Sequence, residues 1–204
     1  LEPIKGNSGE LGLKAEFLDK KLHASTAIFQ TKQKNLAIAT TDQLVGIGGF
    51  PETAYRAADG ATSKGFEMEL TGRLASGWNL TAGYTQYTLK DEDGTEVNTI
   101  YPRKLLRMFT TYRLPGSFSG LTLGGGVSWQ SKTYTTALNP LGAPTDIVQG
   151  AYSLVNLMAR YDFNPRLSLQ LNVNNVTDKK YYGMFDAYDQ ITFNEPRSAT
   201  LTMN

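Results

Sequence analysis

The chain has 204 residues, a formal net charge of +1, 20 glycines and no cysteine, and 40% of it is hydrophobic. That balance excludes a basic nucleic-acid surface, a disulfide framework, a thiol nucleophile and a cysteine metal site. A membrane helix is excluded too, because no apolar run nears the roughly 20 residues it needs, although a barrel strand, with only every second residue in lipid, leaves a far fainter signal.

The chain opens on LEPIKGNSGE, which has neither the basic nor the apolar region of a signal peptide, so either the protein is cytosolic or its start lies upstream. From there a two-faced alternation recurs. ELGLKAEF (10–17) sets Leu11, Leu13, Ala15 and Phe17 against Glu10, Gly12, Lys14 and Glu16, and LHASTAIFQ (22–30) repeats the pattern more weakly. GFEMELTGRL (65–74) sets Phe66, Met68, Leu70 and Leu74 against Glu67, Glu69, Thr71 and Arg73; WNLTAGYTQY (78–87) sets Trp78, Leu80, Ala82 and Tyr84 against Asn79, Thr81, Gly83 and Thr85. Segments 103–114, 121–130 and 152–163 follow. At 167–176 the leucines 167, 169 and 171 with Val173 oppose Ser168, Gln170, Asn172 and Asn174, and RSATLTMN (197–204) closes the chain. Period two over this length predicts about nine strands and no helix.

The connections carry more information than the strands. LDKK (18–21), ASG (75–77), PGSFSG (115–120) and NPR (164–166) are short and turn-like, whereas 35–61, 90–102, 133–150 and 177–196 are long. Short and long alternate strictly. In an up-and-down meander this puts every tight turn at one end and every long loop at the other, as in outer-membrane barrels with short periplasmic turns and long extracellular loops.

The polar faces hold Glu67, Glu69 and Arg73, then Arg107 and Arg113, then Arg160 and Asp162. Charges of both signs suit a hydrated lumen, and they equally suit the solvated face of a soluble sheet. Phe17, Trp78, Tyr112, Tyr161 and Phe163 stand on the apolar faces beside the short turns, where an interfacial girdle belongs.

Taken in order, LEPIKGNSGELGLKAEFLDKKLHASTAIF, SKGFEMELTGRLASGWNLTAGYT, YRLPG, LTLGGGVSWQS, LSLQLNVNNVTDKKYY and EPRSATLT resemble successive strands of TonB-dependent siderophore receptors, of the ferripyoverdine and hydroxamate type. The resemblance covers nearly all of the chain. It implies that residues 1–204 are the C-terminal portion of an all-β, antiparallel up-and-down transmembrane β-barrel of twenty-two strands in the bacterial outer membrane. It also implies a plug domain outside this chain, contact with TonB through that missing N-terminal part, and a ferric siderophore as transported ligand rather than a bound cofactor. The chain stops at TLTMN, where the family continues to a terminal aromatic, so it is read as a fragment. A passive porin-like or adhesin barrel and a soluble all-β carbohydrate-binding domain are the alternatives.

Catalytic motifs are scarce. His23, the one histidine, lies in a strand after a tight turn and suits a surface or lumen position better than a general base. GLTLGGGVS (120–128) lacks the helix and the GK[ST] of a phosphate loop, and DEDG (91–94) lacks the later Glu of a calcium loop. No enzyme, catalytic residue or metal site is expected. The candidate ligand-binding residues are aromatics at the long-loop end, Tyr101, Tyr134, Tyr181, Tyr182, Phe185 and Tyr188, with the inward-facing Arg103 and Gln130 to meet a chelate's charge or carbonyls. Packing of loop against loop would employ the same rings.

Overall fold

The computed structural model describes residues 2–45, 51–138, 141–185 and 190–204. Its thirteen strands are β1 (Lys5–Phe17), β2 (Leu22–Val45), β3 (Pro51–Ala75), β4 (Trp78–Lys90), β5 (Lys104–Arg113), β6 (Leu121–Gln130), β7 (Thr133–Leu138), β8 (Pro144–Gln149), β9 (Tyr152–Asn164), β10 (Leu167–Asn174), β11 (Tyr182–Phe185), β12 (Gln190–Phe193) and β13 (Ser198–Met203). Nine form one sheet in the order β1-β2-β3-β4-β5-β6-β9-β10-β13, and β7-β8 and β11-β12 are separate hairpins. These nine are the strands the alternation predicts. The long connections differ from expectation: 35–61 is largely a continuation of β2 and β3, while 133–150 and 177–196 each contain a two-stranded hairpin.

The chain forms two compact units, one of Leu1–Leu11, Ile28–Phe66 and Tyr87–Asn98, the other of Gly12–Ala27, Glu67–Gln86 and Thr99–Asn204. The first unit carries ion pairs. Lys32 Nζ meets Asp59 at 2.8 Å and Arg56 meets Glu92 at 2.7 Å. The hydrogen bond and positive charge of Lys32 hold the Asp59 carboxyl below its ordinary range. Asp91 Oδ1 accepts the N–H groups of Asp93 and Thr95, closing the acidic turn there.

In the second unit the register lays side chains out in rows. One face carries Trp78–Tyr112–Leu123–Ala159–Leu171–Leu201 and, beside it, Leu80–Thr110–Gly125–Leu157–Val173–Ala199. The opposite face carries Asn79–Thr111–Gly124–Met158–Asn172–Thr200 and Gly83–Arg107–Ser128–Leu154. Among the described residues the buried hydrophobics are only Ala27 and Ala58, whereas Trp78, Tyr112, Leu123, Leu157, Leu171 and Leu201 are exposed. An apolar row of this extent open to solvent contradicts a soluble sheet, which buries one face in a core. The apolar side instead requires an apolar medium.

The tight turns follow two routes. At 75–77, Gly77 takes φ +75, and a Cβ there would come within 2.8 Å of the Arg113 carbonyl oxygen, so only glycine fits. At 18–21 there is no glycine; Leu18, Asp19 and Lys20 all adopt positive φ (54, 54 and 63), a strained left-handed run.

Candidate functional site

Four of the aromatics expected to form a girdle meet in pairs beside the short turns. Trp78 and Tyr112 meet edge to face at 6.4 Å between centroids, and Tyr161 and Phe163 do so at 4.9 Å. On the polar face Arg160 Nε donates to Asp162 Oδ1 at 2.8 Å. A cleft of about 440 Å³ runs along that face, lined by Glu69, Thr81, Arg107, Phe109, Ser128 and Asn156. Phe109 and Met158 are apolar side chains on this largely polar wall. They fit because Gly126 and Gly124 stand beside them: a Cβ at Gly126 would lie 2.8 Å from the Phe109 ring, and one at Gly124 would lie 3.0 Å from Met158 Cε.

The candidate ligand residues lie at the other end of the strands. Leu105 pairs with Gln130 and Gln130 with Tyr152, so Gln130 stands on the polar face beside Tyr152. Tyr152 in turn stacks on Tyr181 at 4.6 Å with a 36° tilt. Burial, and then the charge of Glu195, push the Tyr181 phenol up. The Ser131 hydroxyl accepts the Arg103 and Lys104 N–H groups, each at 3.1 Å, which fixes Arg103 at the strand end. Tyr134 exchanges hydrogen bonds with Thr99: its N–H donates to the Thr99 carbonyl at 3.0 Å, and Thr99 Oγ1 donates to its carbonyl at 2.6 Å. Lys132 Nζ sits 5.7 Å from the Tyr134 ring centroid. Tyr101 is exposed.

Tyr182 is committed to the fold. Its hydroxyl donates to the Val148 carbonyl, its N–H donates to Gln149 Oε1 at 3.0 Å, and its ring meets Phe193 edge to face. Gln149 is buried and donates through Nε2 to the Gly150 carbonyl at 2.8 Å. These bonds dock β11 against the end of β8. The structure therefore joins Gln130, Tyr152 and Tyr181 in one group and Thr99, Lys132 and Tyr134 in another. Tyr188 lies outside the described residues, as does the side chain of Phe185.

Sequence reasoning missed Thr99, Ser131, Gln149 and Asn175, all of which shape the loop bases. Asn175 had a visible signal, because an asparagine pair ending a strand is a turn former that tolerates the left-handed φ of 48 found there. Among the described residues no group of three or more His, Cys, Asp or Glu is arranged to hold a metal ion.

Residues 1–176 match the family described as TonB dependent receptor-like, beta-barrel. The ferric-pyoverdine 358 receptor of Pseudomonas putida is 42% identical over 204 residues, covering 100% of this chain and 24% of that protein. The ferripyoverdine receptor of Pseudomonas aeruginosa is 38% identical over 201 residues, covering 97% of this chain and 24% of that protein. The solved outer-membrane ferripyoverdine receptor of Pseudomonas aeruginosa bound to ferripyoverdine superposes with a TM-score of 0.89 at 36% identity, over 100% of this chain and 27% of that one. The chain thus spans about a quarter of the length of the relatives it matches.

Proposed function

We propose, from the premise that this chain belongs to the TonB-dependent receptor β-barrel family of the bacterial outer membrane, that it forms part of the wall and outer mouth of a receptor importing ferric siderophores. It is the C-terminal portion of the barrel, and the plug and the TonB contact belong to the rest of the receptor. Its apolar rows face lipid and its polar rows face the lumen. Transport is by energised conformational change, and no covalent chemistry on the ligand is involved.

The observation that carries this reading is a likeness that runs over nearly all of this chain to receptors named for ferric pyoverdine. The sorting of loops and faces gives those likenesses a physical basis. A mouth of tyrosines flanked by a cation suits a chelate that bears flat or apolar groups together with negative charge or carbonyls. Tyr101, Tyr134 and Tyr181 supply rings, Arg103 supplies positive charge and Gln130 supplies amide hydrogen bonds. Tyr182 contributes by holding its hairpin in place.

The test is uptake of radiolabelled ferric pyoverdine by cells carrying the full-length receptor as their sole route. Uptake that disappears when TonB is deleted supports the proposal. Uptake that persists without TonB would make the barrel a passive pore, and failure to transport any ferric chelate would reject the iron assignment.

A further inference from the structure

The lipid-facing wall carries a notch that differs from its surroundings. The glycine run 124–126 places Gly125 on the outer face, between Thr110 on one neighbouring strand and Leu157 on the other. With no side chain at Gly125, a recess of about 580 Å³ opens, walled by Trp78, Tyr112, Leu123 and Leu157. Its floor is nonpolar despite Thr110. That hydroxyl accepts the Trp78 indole N–H at 2.8 Å and donates to the Asn79 carbonyl at 2.8 Å, so its proton and one lone pair are engaged within the wall. The same bond holds the indole in position as a rigid side of the recess. Ser76, in the short turn, supplies polarity at the turn end, beside the girdle.

We infer that this notch holds one acyl chain of a phospholipid from the membrane leaflet next to the short turns, headgroup towards Ser76 and Tyr112. The inference rests on the outer-membrane reading of the apolar face. The recess is continuous with the surface that lipid already covers, its polarity is confined to the interfacial end, and a flat wall would offer a chain contact on one side only. A recess gives contact on three sides, which favours a held chain over an exchanging one. Gly125 is the determinant: a Cβ there would approach Leu157 Cδ2 at 3.2 Å, and a longer side chain would fill the space.

The experiment uses the full-length receptor in phosphatidylethanolamine vesicles containing a phospholipid with a photoactivatable diazirine on one acyl chain. Adducts are mapped by mass spectrometry. The wild type should be labelled at Leu123 and Leu157 several-fold above Leu171 and Leu201, which lie on the same face outside the notch. Gly125→Leu should bring the two sets level, while labelling at Leu171 and Leu201 stays constant as an internal reference. Should Gly125→Leu fail to assemble, Leu157→Phe narrows the recess from its side, and labelling at Leu123 should then fall to the level of Leu171 and Leu201. Equal labelling in the wild type, or a preference that survives the filled notch, overturns the inference. Uptake failing while the labelling pattern holds would reject the transport proposal and leave the lipid site standing.

Discussion

Asn175 binds both ends of the 177–196 connection at once: its Nδ2 donates to the Lys179 carbonyl at 3.0 Å and to the Glu195 carbonyl at 3.3 Å, while its Oδ1 accepts the Lys179 N–H at 2.8 Å. The residue is 4% exposed, so these partners have no water to replace it. Asn175→Ala in the full-length receptor should cost about 1–3 kcal/mol, with faster hydrogen exchange in 177–196. Asn175→Gly keeps the left-handed backbone and should recover only the smaller, conformational part of that loss. Exchange unchanged in the alanine variant would show that the loop is held elsewhere.

The glycine-free turn gives a prediction of opposite sign. Lys20 adopts φ 63 as the third left-handed residue in succession. Lys20→Gly should relieve strain and raise stability by about 0.5–1 kcal/mol, after allowance for the added freedom of the unfolded chain. Urea unfolding in detergent micelles would measure it, and a loss of stability would refute the strain argument.

The Lys32–Asp59 pair gives a pH dependence. Its folded carboxyl titrates below the unfolded value, so the contribution is present above the unfolded pKa and fades as pH falls through the depressed folded one. The protection of the backbone amides flanking Lys32 and Asp59, taken relative to their intrinsic exchange at each pH, should fall on acidification below the ordinary carboxylate range, and Asp59→Asn should remove that fall. The pair is exposed, so high salt should weaken the effect.

The nine sheet strands were legible because lipid and lumen impose opposite demands on alternate residues; β6 begins at Leu121 and ends at Gln130 as the pattern predicts. Where that demand ends, the signal ends. Over residues 30–35 the β2 sequence QTKQKN has no apolar side, so the strand's passage through it rests on backbone pairing that composition does not report. The hairpins at 133–149 and 182–193 are too short for a period to register. For the site, aromatic enrichment was visible, but the role of each tyrosine was not. Tyr182 is tied to the carbonyl of Val148, 34 residues away, and nothing in its neighbours announces that bond.

Rings that face ligand and rings that hold loops should separate on mutation. Tyr101→Ala with Tyr134→Ala should lower ferric-pyoverdine affinity about tenfold or more, leaving heat-resistant migration of the barrel unchanged. Tyr182→Phe keeps the ring and loses only the hydroxyl bond to Val148, so it should loosen 182–193 in hydrogen exchange with a smaller change in affinity. The reverse ranking would move Tyr182 into the ligand surface.

The assignment of one face to lipid and the other to the lumen underlies every functional statement, and β10 tests it on adjacent residues. Leu171 is exposed on the apolar row, whereas Gln170 is on the polar face, its amide donating to Asn172 Oδ1 at 3.1 Å. Unfolding free energies of the full-length receptor in lipid vesicles should fall by about 2–4 kcal/mol for Leu171→Arg and by much less for Gln170→Arg, since only the former puts a charge into hydrocarbon. Equal losses at the two positions, or a larger loss at Gln170, would contradict the account.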